Sequence, residues 1–233
     1  AEYVCVPELN TVKFADEVTF EQAALFEPTT IALHGIERLD FKGGHTVAVL
    51  GGGTIGILTA MWAKAFGARE VTVFDIVPER LEFAKKMGAT AGVNTLDKDY
   101  REQALALTDG RGYDYLFETA GATPTMKMAF DLAANKAQIC FIGTPKKEIS
   151  FTVDEWECIN RKEFAMTGSW MSYSAPFPGH EWSLTAEAYA TGMIKFDEGL
   201  VFKKFPLSKI DEAFDMYRTP GAVKGKILID SEA

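Results

Sequence analysis

One short segment of this chain has the residue types and the spacing needed to bind a dinucleotide. Gly51, Gly53 and Gly56 form a G-x-G-x-x-G pattern after an apolar run, and Asp75 follows 19 residues after Gly56. In such a unit the first glycine permits a tight turn, the second leaves room for a pyrophosphate, and the third lets a helix pack closely on a sheet. The spacing therefore predicts a phosphate-binding turn that is followed by a ribose-binding acid.

The acid also indicates which cofactor this turn would hold. A helix that begins at Thr54 and Ile55 offers unpaired N–H groups and the positive end of its dipole to phosphates. Asp75 can accept hydrogen bonds from a ribose 2′-OH, whereas its carboxylate would repel a 2′-phosphate. The sequence therefore favours NAD over NADP. A purely structural glycine turn is the alternative, and the complete order of strand, turn, helix, strand and acid argues against it.

The elements around this turn alternate between strands and helices, which predicts a doubly wound α/β fold of the Rossmann type. Nearly continuous apolar runs at 46–50 and 137–142 are typical of a parallel sheet with helices on both faces. We expect further strands at 70–75, 113–118 and 164–169, a short strand at 92–94, and helices near 54–66, 78–87, 98–107, 124–134 and 154–162.

The pattern changes at both ends of the chain. The first residues read as extended, and a helix that starts at Phe20 is interrupted at Glu27-Pro28 before a second helix runs to about Arg38. After about residue 170 the chain has a loop, a helix near 181–191, a helix with Ser208 as its expected N-cap, and a final strand. We therefore divide the chain into 1–30, 31–170 and 171–233, with the NAD-binding domain in the middle.

Composition excludes several classes of partner. The 233 residues carry a net charge of −9 at pH 7 without a basic cluster, so we expect neither nucleic acid nor an anionic membrane as a partner. No apolar run is long enough to span a bilayer. Cys5, Cys140 and Cys158 are far apart, which suggests a reducing, cytoplasmic compartment and gives no zinc-type cysteine spacing.

Several segments together are similar to one enzyme family. The chain resembles the zinc-containing medium-chain alcohol and polyol dehydrogenases, which transfer a hydride between an alcohol carbon and NAD. Within that family, the loop 168–182 is similar to that of members that oxidise galactitol 1-phosphate, so the resemblance implies a polyol or a polyol phosphate as substrate. The segments that carry the resemblance are Gln22–Pro28, Val49–Gly56, Phe117–Gly121, Phe141–Thr144, Phe205–Leu207, Ala213–Phe214 and Gly225–Leu228.

The resemblance also implies roles for individual residues. Glu27 matches a glutamate at the catalytic zinc, although it could be an ordinary carboxylate at a helix break. Trp170 could wall a polyol pocket with Tyr173, or pack against another domain. The remaining matches are implied cofactor contacts, each of which could instead be plain loop or solvated surface. They are Arg80 near the adenosine, Thr119 and Ala120 at the adenosine ribose, Ile142, Gly143 and Thr144 at the carboxamide, and Ser169 with Trp170 beside the nicotinamide.

One departure from the family limits these expectations. Family members carry an N-terminal GroES-like domain with zinc ligands and a Gly-His-Glu motif. The Gly179-His180-Glu181 of this chain follows the dinucleotide-binding segment, so it does not occupy that N-terminal position. We therefore expect the C-terminal two thirds of a dehydrogenase, in which both chain ends are remnants of the catalytic domain. Such a chain would bind NAD, hold little zinc through Glu27 alone and lack turnover. An NAD-binding module without any chemistry and a methyltransferase are the rival hypotheses, and a homodimer or tetramer is the expected assembly.

Overall fold

The computed structural model describes residues 3–172, 174–219 and 223–231. Two compact units form. The continuous unit is Ile31–Ser172, and the two-segment unit combines the chain up to Thr30 with the chain after Ser172. The helices are α1 (Phe20–Ala23), α2 (Phe26–Glu37), α3 (Thr54–Ala65), α4 (Pro78–Lys86), α5 (Tyr100–Ala106), α6 (Thr123–Leu132), α7 (Val153–Lys162), α8 (Gly179–Thr191) and α9 (Ile210–Tyr217). The strands are β1 (Thr46–Leu50), β2 (Glu70–Asp75), β3 (Ala91–Asn94), β4 (Tyr113–Glu118), β5 (Ala133–Phe141), β6 (Ala165–Gly168), β7 (Val201–Pro206) and β8 (Lys226–Asp230).

The continuous unit is built on a parallel sheet of six strands. Their order is β3-β2-β1-β4-β5-β6, which is the order of a doubly wound dinucleotide-binding fold. The central strand β1 is buried at every position, because a parallel sheet with helices on both faces leaves no wet side. The predicted α/β Rossmann fold is confirmed.

Helices pack along this sheet and close its core. α3 contacts β1 and β2, while α6 and α7 contact β5. A polar group inside this core is paired, because the hydroxyl of the fully buried Tyr113 donates to Thr72 Oγ1 at 3.0 Å. The loops at the carboxyl edge of the sheet therefore follow strands that lie in a well-packed core.

One strand of the sheet begins earlier than the sequence indicates. We predict a strand from 137, whereas β5 starts at Ala133, directly after α6 ends at Leu132. The first residues of β5 are irregular, because Lys136 has a φ of 62° and the pairing with β4 shifts register between Tyr113 and Tyr115. An Ala-Ala-Asn-Lys run carries no strand signal, so the sheet contacts decide its conformation.

The two-segment unit holds a two-stranded parallel sheet of β7 and β8, whose connection contains α9. Its other contacts join the two parts of the chain. The rings of Phe26 and Tyr189 stack with centroids 5.5 Å apart, and the Tyr189 hydroxyl lies 3.0 Å from Thr29 Oγ1. Glu21 and Lys204 form an ion pair of 2.6 Å.

Two helix boundaries differ from the sequence interpretation. The break before α2 falls at Ala24 and Leu25, and Glu27-Pro28 lies inside the first turn of α2. A proline is tolerated there because its missing N–H would have had no partner in the helix. Ser208 is not the N-cap of α9, which starts at Ile210 after a 3-10 turn at Leu207–Lys209 and has no side-chain cap.

Candidate functional site

The glycine turn after β1 is shaped by close backbone contacts. Gly51 has a φ of 114°, and its N–H donates to the carbonyl of Phe74 at 2.8 Å. A Cβ on Gly56 would collide with the carbonyl oxygen of Gly51, so the third glycine allows α3 to start against the turn. Gly53 differs from both, because no heavy atom lies within 4 Å of a Cβ built there. The open side of Gly53 therefore lies directly before the first turn of α3, which begins with Thr54 and Ile55.

The acid at the end of β2 is tied to this turn. Asp75 is 8% exposed, and its carboxylate accepts the Gly52 N–H at 2.7 Å and the Val77 N–H at 2.9 Å. Arg80 Nη1 lies 3.5 Å from Asp75 Oδ2, and the arginine side chain is 29% exposed. A carboxylate offers about four acceptor positions, so Asp75 retains capacity for a ribose.

A buried glutamate that we did not assign from the sequence organises the loop after β4. Glu118 is fully buried and accepts the N–H groups of Ala120 at 3.0 Å and Gly121 at 2.9 Å. The hydroxyl of Thr125 donates to the same carboxylate at 2.7 Å. Burial raises the pKa of the Glu118 carboxyl, although these hydrogen bonds act in the opposite direction. One signal could have revealed this residue, since β4, like β2, is an apolar strand that ends in an acid.

The loops after β4 and β5 are packed backbone against backbone. Gly121 has a φ of 64°, and a Cβ there would collide with the carbonyl of Thr144. A Cβ on Gly143 would collide with the N–H of Gly121. This packing explains why position 143 is a glycine, without reference to any ligand. Ile142 lies against Gly35 of α2, where a Cβ would collide with the Ile142 side chain.

The end of β6 carries a hydroxyl without a partner. Ser169 is 9% exposed, and its Oγ has no hydrogen-bond partner within the part of the chain that the structure describes. Trp170, the next residue, is 72% exposed, and Met171 follows with a φ of 69°. A buried orphan hydroxyl is rare in proteins, so a ligand or a water is the natural partner of Ser169. Tyr173 lies outside the described residues.

The parallel strands bring the proposed cofactor residues to one edge. Thr119 connects the two halves of the sheet, because its hydroxyl lies 3.1 Å from the carbonyl oxygens of Leu50 and Gly51. Residues at this carboxyl edge of the continuous unit are Gly51, Gly53, Thr54, Ile55, Gly56, Asp75, Arg80, Thr119, Ala120, Ile142, Gly143, Thr144, Ser169 and Trp170. The arrangement fits a dinucleotide that lies across the edge.

The described residues do not provide a zinc site. Glu27 is exposed in the first turn of α2, where its carbonyl accepts the Thr30 hydroxyl at 2.7 Å. Among residues 3–172, 174–219 and 223–231, no group of three or more His, Cys, Asp or Glu side chains could hold a metal ion. A zinc ion needs about three protein ligands, so Glu27 by itself does not fit one.

Comparison with known proteins adds an independent line of evidence. A sequence profile of zinc-binding dehydrogenases matches residues 54–187. Galactitol 1-phosphate 5-dehydrogenase of Escherichia coli (strain K12) is 33% identical over 230 residues, which cover 98% of this chain and 66% of that protein. The chain thus spans 66% of the length of this curated relative. No helix in the described ranges is long and apolar enough to cross a membrane.

Solved structures agree with this match. The crystal structure of galactitol-1-phosphate dehydrogenase from Escherichia coli has a TM-score of 0.91 and 30% identity, and the match covers 99% of this chain and 66% of that one. A zinc-binding dehydrogenase from Sinorhizobium meliloti 1021, solved with bound NADP, has a TM-score of 0.80 and 28% identity over 94% of this chain and 61% of that one.

Proposed function

We propose, from the premise that this chain belongs to the zinc-binding dehydrogenase family, that its continuous unit binds NAD as part of an oxidoreductase. One observation carries the proposal. The carboxylate of Asp75 is held 2.7 Å from the N–H of Gly52, so the ribose acceptor and the phosphate turn form one rigid element. A rigid element of this kind loses little freedom when a cofactor binds.

Each half of the cofactor would have its own residues. Asp75 would accept hydrogen bonds from the adenosine ribose, and the N–H groups at the start of α3 would donate to the pyrophosphate. Ser169 Oγ and the backbone at Ile142–Thr144 would face the carboxamide of the nicotinamide. When bound, NAD supplies the position that accepts a hydride from the alcohol carbon.

The orphan hydroxyl of Ser169 supports the fit of a cofactor on the second half of the site. Its Oγ has no partner in the described residues, and a carboxamide could accept from it or donate to it. The backbone of Gly143 would be held ready by the packing of its loop on Gly121. These residues bind and orient, and no proton transfer is assigned to them.

A titration of NADH against the full chain, followed by nicotinamide fluorescence, tests the proposal. We expect saturable binding, and Asp75→Ala should weaken it roughly 10- to 100-fold because hydrogen bonds to a charged group are lost. Asp131 gives a matched control, since Asp131→Ala removes a carboxylate at the end of α6, just before β5 begins and therefore at the opposite edge of the sheet. A folded wild-type chain that does not bind millimolar NADH would overturn the proposal, and binding of S-adenosylmethionine in its place would favour a methyltransferase.

NADP is the second candidate, because Arg80 lies beside Asp75 and is partly exposed. An arginine in this position could donate hydrogen bonds to a 2′-phosphate, whereas the Asp75 carboxylate would repel it. The same titration with NADPH decides between them. We expect NADH to bind at least tenfold more tightly, and equal affinities would show that Arg80 offsets the carboxylate.

For the whole protein we propose a polyol or a polyol phosphate as substrate, with galactitol 1-phosphate as the first compound to test. The similarity to galactitol 1-phosphate 5-dehydrogenase supports this choice. An NAD-binding module without catalysis is the alternative, because Glu27 is a single candidate ligand. Incubation with NAD, zinc and galactitol 1-phosphate, followed at 340 nm, distinguishes a dehydrogenase from a module without catalysis, because only the dehydrogenase forms NADH. Unphosphorylated galactitol in the same assay tests whether the phosphate is needed.

A further inference from the structure

The carboxylate of Glu118 is in an unusual position, because it is buried and has no ion-pair partner among the described residues. The side chain is fully buried at the end of β4, and its acceptor oxygens face two backbone N–H groups and one hydroxyl. Burial of an unpaired charge is costly unless hydrogen bonds replace the lost water. A residue kept at that cost invites a functional explanation.

The hydrogen bonds of Glu118 reach both loops of the second half of the site. Its side chain fixes the backbone of Ala120 and Gly121 after β4. Its carbonyl oxygen accepts the N–H groups of Ile142 at 2.8 Å and Gly143 at 2.9 Å, after β5. One residue therefore sets the positions of two loops that come from different strands.

Contacts between these loops transmit this constraint. A Cβ on Gly143 would lie 2.7 Å from Glu118 Oε2, so the second loop rests directly on the carboxylate. The start of α6 is held as well, because Thr125 Oγ1 lies 2.7 Å from Glu118 Oε1 and 2.8 Å from the carbonyl of Ala122. The carboxylate also lies near the N-terminal end of α6, where a negative charge is favoured.

We infer that Glu118 is a positioning residue for the nicotinamide half of the cofactor, a placement that differs from the adenosine ribose to which the resemblance assigns Thr119 and Ala120. The inference rests on the proposed binding of NAD to the continuous unit. In a doubly wound fold the second group of strands holds the second mononucleotide, and both loops that Glu118 fixes follow strands of that group. The adenosine half would use Asp75 and the glycine turn. In the described residues, the Glu118 side chain makes no hydrogen bond with either of them.

Glu118→Gln tests this role, because it keeps the shape and removes the charge. The amide oxygen can take the place of Oε1 and keep its three hydrogen bonds. The NH2 group then replaces Oε2, which accepts the Gly121 N–H at 3.2 Å, and turns a donor toward it, so the loop after β4 should be held less firmly. We expect NADH affinity to fall about tenfold, while the affinity for AMP stays within twofold of wild type. The blue shift of NADH emission on binding, which reports the surroundings of the nicotinamide, should become smaller.

A matched control separates positioning from folding. Asp114, near the opposite end of β4, also accepts a backbone N–H and a hydroxyl, those of Thr46, each at 2.9 Å. Asp114→Asn makes the same chemical change at the amino end of the strand and should leave NADH and AMP affinities unchanged. If Glu118→Gln does not fold, Thr125→Val removes one donor only and should weaken NADH about threefold with AMP unaffected.

The outcomes are distinct from those of the proposed function. Wild-type protein that binds neither AMP nor NADH contradicts NAD binding itself. The positioning role is overturned if the wild-type protein binds both ligands and the Glu118→Gln and Thr125→Val variants bind NADH within twofold of wild type. Equal losses for AMP and NADH would also overturn it, because the effect would then be a general loss of structure.

Discussion

The two units of this chain reach order by different means. In the continuous unit, a sheet of six strands with helices packed on it leaves β1 completely buried. In the two-segment unit, β7 and β8 pair only with each other in the described structure, and Phe202 and Ile229 on these strands are each 37% exposed. A two-stranded sheet is marginal without further packing. Complete burial of its central strand thus distinguishes the continuous unit from the two-segment unit, which also relies on contacts between segments distant in sequence.

The same difference appears in how charged groups are held. Asp114 in the continuous unit accepts the Thr46 N–H and the Thr46 hydroxyl, each at 2.9 Å, and lies 3.3 Å from His45. Glu21 in the two-segment unit is paired with an exposed Lys204 side chain. Backbone donors are fixed in place, whereas an exposed lysine must be ordered for its pair to form. The comparison can be tested at three levels.

The largest expected effect concerns the glycine turn that begins the continuous unit. Gly56→Ser should destabilise this unit by about 3 kcal/mol, because any Cβ collides with the carbonyl of Gly51. Gly53→Ser introduces the same side chain into open space at an N-cap, where serine is well tolerated, so stability should change by less than about 0.5 kcal/mol. Urea unfolding measures both values.

The Gly53→Ser protein, which should keep its stability, is also tested for binding by titration with NADH. Affinity should fall about tenfold or more, since the side chain occupies the approach of the pyrophosphate. A Gly56→Ser protein as stable as wild type would show that the turn does not support the continuous unit.

A smaller effect is expected in hydrogen exchange. Amides of β7 and β8 should exchange with an opening free energy at least about 2 kcal/mol below that of β1 and β4, because few buried apolar contacts hold them. Native-state exchange read by mass spectrometry or NMR measures the difference. Equal protection of β7 and β1 would show that the two units open together, and the contrast between them would then fail.

The smallest effect is in the pH dependence of stability. Burial acts to raise the pKa of Asp114, but the hydrogen bonds from Thr46 and His45 prevail and lower it. Since the folded pKa lies below the unfolded one, Asp114 contributes stability at neutral pH that is lost as pH falls through the folded value. The deficit of Asp114→Asn relative to wild type should therefore shrink between pH 5 and about pH 3.

Glu21→Gln provides the comparison from the other unit. The hydrogen bond from Lys204 lowers the pKa of Glu21, yet the pair is exposed, so we expect no measurable change of stability at neutral pH. Urea midpoints at several pH values check both variants. A larger loss for Glu21→Gln than for Asp114→Asn would reverse the comparison.

Much of the continuous unit was predictable because local signals and tertiary contacts agree there. The strands 46–50, 70–75 and 113–118 begin and end where their apolar runs do. The early start of β5 was not predictable, because residues 133–136 are drawn into the sheet by β4 and not by their own propensity. The break before α2 also depends on helix geometry that a proline in the sequence does not specify.

The candidate site shows the same limit. Glycine spacing and Asp75 are visible because their chemistry depends on sequence separation. The role of Glu118 arises from loops that follow two different strands, so only the folded chain brings its partners together. The orphan state of Ser169 is likewise a property of its surroundings, although its place at a strand end drew attention to it.

The double attachment of Asp75 has a consequence for protein engineering. Under the proposed binding of NAD, a designer who wished to change the cofactor to NADP would replace this acid to admit a 2′-phosphate. The same replacement removes the acceptor of the Gly52 and Val77 N–H groups, both of which lie in turns at the end of a strand. Preference and stability are therefore coupled at one side chain. A redesign would need a substitute such as serine or asparagine, which still accepts from Gly52, together with Arg80 for the added phosphate.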